Sequence, residues 1–263
     1  MRNLASSLLL PVFGLCLILL SAGCGHMRTQ EEVLPVVARR VQGLVVDARQ
    51  SDPAWESAVP VTLSLYEAGN GCPEKTVEAT QKEACPVTAT MRLLHDEKNL
   101  YVGVHVRNDD VCCLTEEDQR FHFFLGDVAE VFLKPAQALC YLELYSTPSA
   151  RRTTYFFPSR SWGGEDFLAM QSLIPELEVV AEVDGTLNDS SDRDDGWWAV
   201  MTIPKAMVEE KTGVPLESGQ PWQILLAGYS RSRYRTFCVN FSYPLQPVLN
   251  FHLHEYWGNL VLE

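Results

Sequence analysis

The stretch that decides the fold reads VTATMRLLHDEKNLYVGVHVRND and spans residues 87–109. Its apolar residues recur at every second position, which is the period of a β-strand with one buried face. These positions are Val87, Ala89, Met91 and Leu93 in the first half, and Val102, Val104 and Val106 in the second. The polar run HDEKN lies between the halves. Two alternating runs joined by a polar turn predict a β-hairpin.

Similar runs continue along the chain and predict further strands. They lie in segments 128–135, 140–150, 153–159, 177–189, 195–208, 221–235, 236–244 and 257–263. Helix signals are confined to residues 115–121 and 204–211, and both segments are short. Many short strands separated by turn signals every ~8–12 residues are typical of a β-sandwich or a β-barrel. The chain is therefore predicted to be all-β with few short helices.

The N-terminus predicts export. Arg2 precedes an apolar run from Leu4 to Leu20, and small residues lead to Cys24. This is the layout of a secretory signal peptide, and the run is too short to favour a spanning helix. The segment LSAGC resembles a bacterial lipobox, which implies cleavage before Cys24 and lipid on its thiol. The alternative is an ordinary signal peptide with an incidental cysteine.

These features divide the chain into three predicted parts. Residues 1–23 are the signal peptide, residues 24–40 a tether with an approach strand, and residues 41–263 one domain. The chain has 21 Lys and Arg against 34 Asp and Glu, and cleavage removes only Arg2. The mature charge is then 20 − 34 = −14. Such an acidic surface argues against nucleic acids and against electrostatic binding to anionic lipid. Membrane attachment would come from the N-terminal lipid alone.

The cysteine count permits disulfides in an exported protein. Cys72 and Cys85 flank a polar stretch and are interpreted as the staple of a loop. The other candidates are Cys112, Cys113, Cys140 and Cys238, and their pairing stays open. No pair has the C-x-x-C spacing that favours zinc.

Six segments carry a resemblance to a known family. They are DARQSDPAWESA (47–58), TATMRLLHDEKNLYVGVHVRNDDV (88–111), GDVAEVFLKP (126–135), YLELYSTPSA (141–150), GWWAVMTIP (196–204) and FHLHEYWGNLVL (251–262). In this order they resemble family 9-like carbohydrate-binding modules. The resemblance implies an antiparallel, DOMON-like β-sandwich that binds sugar chains or their ends, often beside a structural calcium. Such modules often belong to bacterial enzymes that degrade plant polysaccharide.

The chain departs from the family pattern in four ways. His254 stands where proline is common, and Phe241 or Tyr243 replaces a tryptophan often seen before the last motif. The segment from Cys72 to Cys85 resembles an insertion, and no catalytic domain accompanies the module. The replaced tryptophan and the insertion lie where a ligand could bind. The sugar specificity of the family therefore does not carry over to this chain.

Sugar binding needs flat aromatic faces and a few placed polar groups. The alternation of segment 140–150 puts Tyr141, Glu143 and Tyr145 on one face, as a ligand surface or as ordinary cross-strand pairs. Adjacent tryptophans in a strand point to opposite faces, and their neighbours favour Trp197 as core and Trp198 as outward. The ligand-binding candidates are Arg92, Glu130, Tyr141, Glu143, Tyr145, Trp162, Trp198, Arg231, His252 and Glu255.

Glycoside hydrolysis is the main catalytic alternative, because Glu130 and Glu143 could form a carboxyl pair. Arg92 is the lone charge in an apolar strand, so it needs a carboxylate, either Glu130 or Glu143, or a ligand. A neighbouring guanidinium would lower the pKa of these carboxyls, the wrong direction for a general acid. The sequence therefore favours binding without catalysis, and no catalytic residue is assigned.

Metal and haem sites have weaker support. Asp192 and Asp194 lie in a loop rich in Asp and Asn, which indicates either a calcium site or simply a turn. His252 and His254 would share a face if residues 250–263 were all strand, but His-x-His alone is a weak metal signal. Haem would need Met91 and a distant histidine, and no attachment motif is present.

The sequence thus predicts a lipid-anchored protein of the bacterial cell envelope that binds a polysaccharide or oligosaccharide without cleaving it. Envelope glycan-degrading enzymes are possible partners. Two alternatives stay open. One is an envelope protein-interaction module on the same fold with no sugar site, and the other is a haem-binding DOMON-type domain.

Overall fold

Twelve β-strands make up most of the part of the chain that the computed structural model describes, which is residues 33–66, 87–161, 170–171, 174–231 and 238–263. In chain order the strands are β1 (Val36–Arg40), β2 (Val61–Leu65), β3 (Thr88–His95), β4 (Asn99–Arg107), β5 (Val128–Pro135), β6 (Tyr141–Ser146), β7 (Thr154–Phe157), β8 (Glu178–Asp184), β9 (Gly196–Pro204), β10 (Trp222–Ser230), β11 (Val239–Tyr243) and β12 (Gly258–Leu262). The predicted strands after residue 87 are all present.

Helices are few and short, as predicted. They are α1 (His122–Leu125) and α2 (Lys205–Thr212), with 3-10 turns at Pro53–Ser57 and His254–Tyr256. Helix α2 confirms the predicted helix at 204–211. No helix in the described ranges has the length and apolar character needed to cross a membrane.

The predicted helix at residues 115–121 is wrong, because α1 begins only after this segment. Gln119 has a left-handed φ of 57°, which does not continue an α-helix. Its backbone N–H donates to the carbonyl of Arg152, and its side chain accepts from the N–H of Thr154 at the start of β7. The segment is therefore tied to the neighbouring strand.

The strands form two layers. Strands β5, β6, β7 and β10 make one layer, here called the front sheet, in the order β7-β6-β5-β10. Strands β3, β4, β8 and β9 make the other, the back sheet, in the order β3-β4-β9-β8. The β2–β11 and β1–β12 pairs connect β3 to β10 and close one side of the sandwich.

The core fills the space between the two sheets. The apolar positions of the opening hairpin point into it, with Met91, Leu93 and Val102 fully buried. They join residues of the front sheet such as Val131 and Leu144 in one hydrophobic cluster. The strand period read from the sequence therefore assigned the inner face of the back sheet correctly.

The antiparallel sandwich contains one parallel element. Strand β1 runs parallel to both β12 and β3. The chain enters the sandwich beside its own last strand, and both run in the same direction. Because β1 covers Val36–Arg40, the approach strand in the predicted tether is part of the sandwich.

Candidate functional site

The outer face of the front sheet is buried. Every residue of β5 and β6 is buried, although alternate side chains point away from the sandwich core. These outward residues form a second, mainly aromatic cluster: Val128, Phe132, Tyr141, Tyr145, Tyr155, Phe157, Leu225 and Ala227. Phe251 and Trp257, from the chain just before β12, pack over it. The front sheet therefore has a core on each side.

Residues 250–257, here called the covering segment, lie outside the last strand. Residues 250–263 do not form one closing strand. Residues 251–252 form a turn, His254–Tyr256 a 3-10 turn, and only Gly258–Leu262 is strand. The non-strand part folds over the front sheet, where the Trp257 indole N–H donates to the carbonyl of Phe251 at 2.9 Å.

A cavity of about 340 Å³ lies between the front sheet and the covering segment. Its lining residues are Phe123, Glu130, Phe132, Glu143, Tyr145, Ser161, Tyr229, Leu249, Asn250, Phe251 and His252. This volume falls at the small end of the usual range for ligand pockets. The site therefore suits a ligand, or a terminal ligand group, of modest size.

Aromatic rings form a continuous wall around this cavity. Phe123 lies between Tyr145 and Tyr229, with ring centroids 6.4 and 6.0 Å away. Phe251 continues the wall from Tyr229 to Phe132, with centroids 5.5 and 6.0 Å away. Such rings present faces to the C–H surface of a sugar or to a cation.

Two carboxyl groups, Glu130 and Glu143, lie inside the wall. Each residue is only 1% exposed. The Tyr145 hydroxyl donates a hydrogen bond to Oε1 of Glu143. Oε1 of Glu130 and Oε2 of Glu143 are buried and accept no hydrogen bond from the described residues. Buried acceptors without donors are costly, so these atoms are poised to take donors from a ligand.

Burial sets the protonation of this pair. Burial raises the pKa of Glu130 well above its usual range, and the charge of Glu143 raises it further. Burial also raises the pKa of Glu143, to about 8. The pair therefore holds protonated carboxyl at neutral pH.

His252 closes one side of the cavity as a neutral side chain. Its Nδ1 lies 2.7 Å from the hydroxyl of Tyr141. Burial lowers the pKa of His252 to about 4, and the nearby Arg160 guanidinium acts in the same direction. The Tyr141 hydroxyl also accepts the backbone N–H of Ser161 at 3.3 Å. This network joins β6 to the covering segment.

Arg231 supports the site from behind. Its Nε donates to the carbonyl of Phe123 in α1, and its guanidinium carbon lies 5.8 Å from the Phe124 ring centroid. The backbone N–H of Arg231 donates to the buried carboxylate of Asp127. Arg231 does not line the cavity. It holds the helix that carries Phe123.

Glu255 lies at the surface beside the cavity. It forms an ion pair with Arg160, and its side chain is 49% exposed. Trp162, the predicted loop stacking residue, lies outside the described residues, as do Cys24, Cys72 and Cys85.

Arg92 and Trp198 lie on the outer face of the back sheet, away from the cavity. Trp198 is half-buried and stacks on His105, with ring centroids 3.6 Å apart and planes 10° from parallel. Trp197 is fully buried, so the predicted orientation of the two tryptophans is confirmed. The nine candidates among the described residues therefore divide between the front-sheet and back-sheet sides.

The expected pairing of Arg92 with Glu130 or Glu143 is corrected by this division. Strand β3 belongs to the back sheet and β5 and β6 to the front sheet. No ion pair joins Arg92 to a carboxylate in the described ranges. The carboxyl pKa values are raised and not lowered. Strand alternation identified the face of each residue but not the sheet to which that face belonged.

Four aromatic residues that line the cavity were not among the candidates predicted from the sequence: Phe123, Phe132, Tyr229 and Phe251. Phe132 was detectable, because it shares the strand face of Glu130 at a spacing of two. Phe123 and Phe251 come from a short helix and a turn, where no strand period applies.

The loop with Asp192 and Asp194 is arranged as a turn. The Asp194 carboxylate accepts the N–H groups of Val111 and Thr186. Gly185 has a φ of 144°, and a Cβ there would lie 1.9 Å from Oδ1 of Asp194. Asp192 has no resolved role, and calcium binding here stays a prediction. The described residues contain no group of three or more His, Cys, Asp or Glu side chains suited to a metal ion.

A larger cavity of about 790 Å³ lies elsewhere, near α2 and the β3–β4 turn. No Phe, Tyr or Trp lines it within the described residues, and its lining mixes Arg40, Lys98 and Lys205 with Glu97 and Glu209. Lys205 donates to the carbonyl of Asp96 at 2.6 Å. Lys205 therefore stabilises the β3–β4 turn. Because this larger cavity has no aromatic lining among the described residues, we take the smaller aromatic cavity as the candidate site.

Comparison with known proteins supports the fold. No protein-family model and no curated protein matches the chain. Among solved structures, a putative carbohydrate-binding protein from Bacteroides uniformis has a TM-score of 0.60 at 13% identity, covering 88% of this chain and 100% of that chain. A family 9 carbohydrate-binding module from Caldicellulosiruptor kristjanssonii, solved with cellotriose, has a TM-score of 0.51 at 13% identity, covering 88% and 94%. The predicted fold is thereby confirmed: this chain shares the β-sandwich fold of family 9 carbohydrate-binding modules.

Proposed function

We propose that this protein binds carbohydrate at the front-sheet cavity without cleaving it. The observation that carries the proposal is the wall of five aromatic rings around two buried carboxyl groups with unpartnered oxygens. Aromatic faces stack on the apolar C–H surface of a pyranose, and carboxyl groups pair with its hydroxyls. The shared fold with proteins named for carbohydrate binding agrees with this proposal.

Binding is favoured over hydrolysis by the protonation of the pair. A glycosidase needs one protonated carboxyl as the acid and one ionised carboxylate as the base or nucleophile. Burial raises the pKa of both Glu130 and Glu143, so neither carboxyl is held in the ionised form at neutral pH. The pair is better suited to hydrogen-bonding than to acid–base chemistry.

We also propose the cellular setting that the N-terminal sequence predicts. Lipid on Cys24 would anchor the protein to a membrane of the bacterial envelope. The acidic sandwich would then present its cavity to oligosaccharides or polysaccharides, alongside envelope enzymes that degrade them.

The test is a binding titration of the purified full-length protein, solubilised in detergent, with xylan, cellulose and chitin oligosaccharides. We expect a shift in tryptophan fluorescence and in melting temperature, with no release of reducing ends. Phe251→Ala should weaken binding about tenfold, because it removes part of the aromatic wall. Tyr256→Ala is the matched control, since Tyr256 is an exposed aromatic residue of the same segment. If sugars up to millimolar concentration shift neither signal, the proposal fails. Release of reducing ends that Glu143→Gln abolishes would instead identify a hydrolase.

A further inference from the structure

The front-sheet cavity combines acidic groups and aromatic rings without a lining cation. The described residues that line it include two carboxyl groups and five aromatic rings, but no Lys or Arg. Two guanidinium groups of the described residues near the cavity have other partners. Arg231 donates to the carbonyl of Phe123, and Arg160 pairs with Glu255 at the surface. None of the described residues that line the cavity therefore offers the carboxyl groups a positive counter-charge.

The two unpartnered oxygens both need donors. Oε1 of Glu130 and Oε2 of Glu143 are buried, and both residues line the cavity. An ammonium group carries three N–H donors and no acceptor. It would donate to both oxygens once the pair is ionised, and its positive charge would stabilise that ionised form. A neutral hydroxyl carries a single donor, so it would satisfy one oxygen at a time and would not stabilise the ionised form.

The surrounding rings favour a cation as well. An ammonium group is attracted to the face of an aromatic ring within ~6 Å of its centroid, more strongly when it is desolvated. Tyr145, Phe123, Tyr229, Phe251 and Phe132 contact one another in that order around the cavity. The same rings can stack on the sugar ring that carries the amine.

We propose that this cavity binds a saccharide with a free primary amine, as in glucosamine units, in preference to neutral or N-acetylated sugars. This inference rests on the proposed carbohydrate-binding function and specifies its ligand class. An acetylated amine loses its positive charge, so the discrimination depends on charge and not only on shape.

Amine binding should release a proton. At neutral pH Glu130 and Glu143 retain their protons, because burial raises the pKa of both carboxyl groups. An ammonium placed between them favours the ionised form, and the displaced proton passes to solvent. The other titratable groups around the pair are Tyr145 on β6, Tyr155 on β7, Tyr229 on β10 and His252 in the cover. Burial raises the pKa of each tyrosine and lowers that of His252, so all four stay neutral near pH 7. The guanidinium groups of Arg160 and Arg231 lie on the cover side and behind α1, where they contact Glu255 and the carbonyl of Phe123.

The experiment compares three trisaccharides by calorimetry on the full-length protein at pH 6, where the free amines are already protonated: chitotriose with free amines, triacetylchitotriose and cellotriose. We expect chitotriose to bind at least about tenfold more tightly than the other two. Glu130→Gln and Glu143→Gln should each remove this preference, because each removes a carboxylate. Glu210→Gln is the matched control, since it removes the same charge from exposed surface on α2. It should leave the preference intact and thereby exclude attraction by the net charge alone.

A second measurement needs no variant. Titrations in buffers of different ionisation enthalpy should show proton release with chitotriose and none with cellotriose. Equal or tighter binding of cellotriose, or a preference that survives both Gln variants, overturns the inference and leaves sugar binding standing. If none of the three sugars binds, the proposed function fails and the inference fails with it.

Discussion

Glu130 on β5 and Glu143 on β6 are diagonal neighbours on the outer face of the front sheet. In the antiparallel register Glu130 faces Tyr145, and Glu143 faces Phe132. Diagonal neighbours lie about 7–8 Å apart at most, within reach of long side chains. Because the cover removes this face from water, the charge of Glu143 helps to raise the pKa of Glu130. A pattern that would be ordinary on an exposed sheet becomes a site with unusual protonation.

Glu143→Gln should stabilise the protein at alkaline pH. Burial raises the folded-state pKa of Glu143 from the usual 4.5 to about 8. The folded protein then holds a proton that the unfolded chain releases, so stability is full below pH 4.5 and is lost as pH rises towards 8. Glutamine does not titrate. We expect the variant to exceed wild type by about 2 kcal/mol at pH 8 and by much less at pH 5.

Denaturant unfolding across pH 5 to 8 measures this difference. Glu210→Gln on the surface should leave the wild-type profile unchanged. Because burial also raises the pKa of Glu130, Glu143→Gln should keep part of the alkaline slope, and a slope as steep as that of wild type would contradict the prediction.

His252 and His254 should limit stability at acidic pH. Burial lowers the pKa of each from the usual 6.5 to about 4. Below pH 6.5 the unfolded chain binds protons at these histidines and the folded form does not. Stability is therefore present above pH 6.5 and is lost as pH falls towards 4. Between pH 6.5 and pH 4 the free energy of unfolding of the double variant His252→Gln/His254→Gln should fall by about 1–2 kcal/mol less than that of wild type. Thermal unfolding of both proteins at pH 6.5 and pH 4 checks this. An equal loss of stability in wild type and in the double variant would contradict the prediction.

Arg231→Lys should weaken ligand binding more than it affects folding. The charge remains, but the Nε donor to the carbonyl of Phe123 is lost, so the position of that ring in the wall is less defined. We expect affinity for the best ligand to fall about three- to tenfold. Arg40→Lys is the control, because Arg40 pairs with exposed Glu97 away from the site. Unchanged affinity in the Arg231 variant would refute a positioning role.

Trp198→Ala should leave sugar binding intact. Trp198 stacks on His105 on the back sheet, and only the front sheet carries the cavity. The variant should lose about 1 kcal/mol of stability from the cross-strand pair. If Trp198→Ala abolishes binding while Phe251→Ala does not, the ligand binds on the back sheet.

Cys24→Ser should release the protein from the membrane fraction. The lipobox-like segment ends at this cysteine, and its thiol is the proposed lipid site. Incorporation of labelled palmitate in the native host should occur in wild type and stop in the variant. Cys16→Ser, inside the signal segment, should incorporate label normally. A variant that stays labelled would place the lipid elsewhere.

The sequence by itself determined the strands, their inner faces and the acidic charge. Strand alternation is a local property, so Met91 and Val102 were assigned to the core and Trp197 was separated from Trp198 without any tertiary information. The same property put Tyr141, Glu143 and Tyr145 on one face.

Only the tertiary structure decided what that face meets. Whether an outward strand face is wet or covered depends on residues far away in the chain, here Phe123 and the segment around Phe251. Their contacts remove Glu130 and Glu143 from water and shift their pKa values, while the separation of the sheets moves Arg92 away from them. Period-two alternation reports which residues share a face. Burial and charge compensation at that face arise only when distant segments pack together.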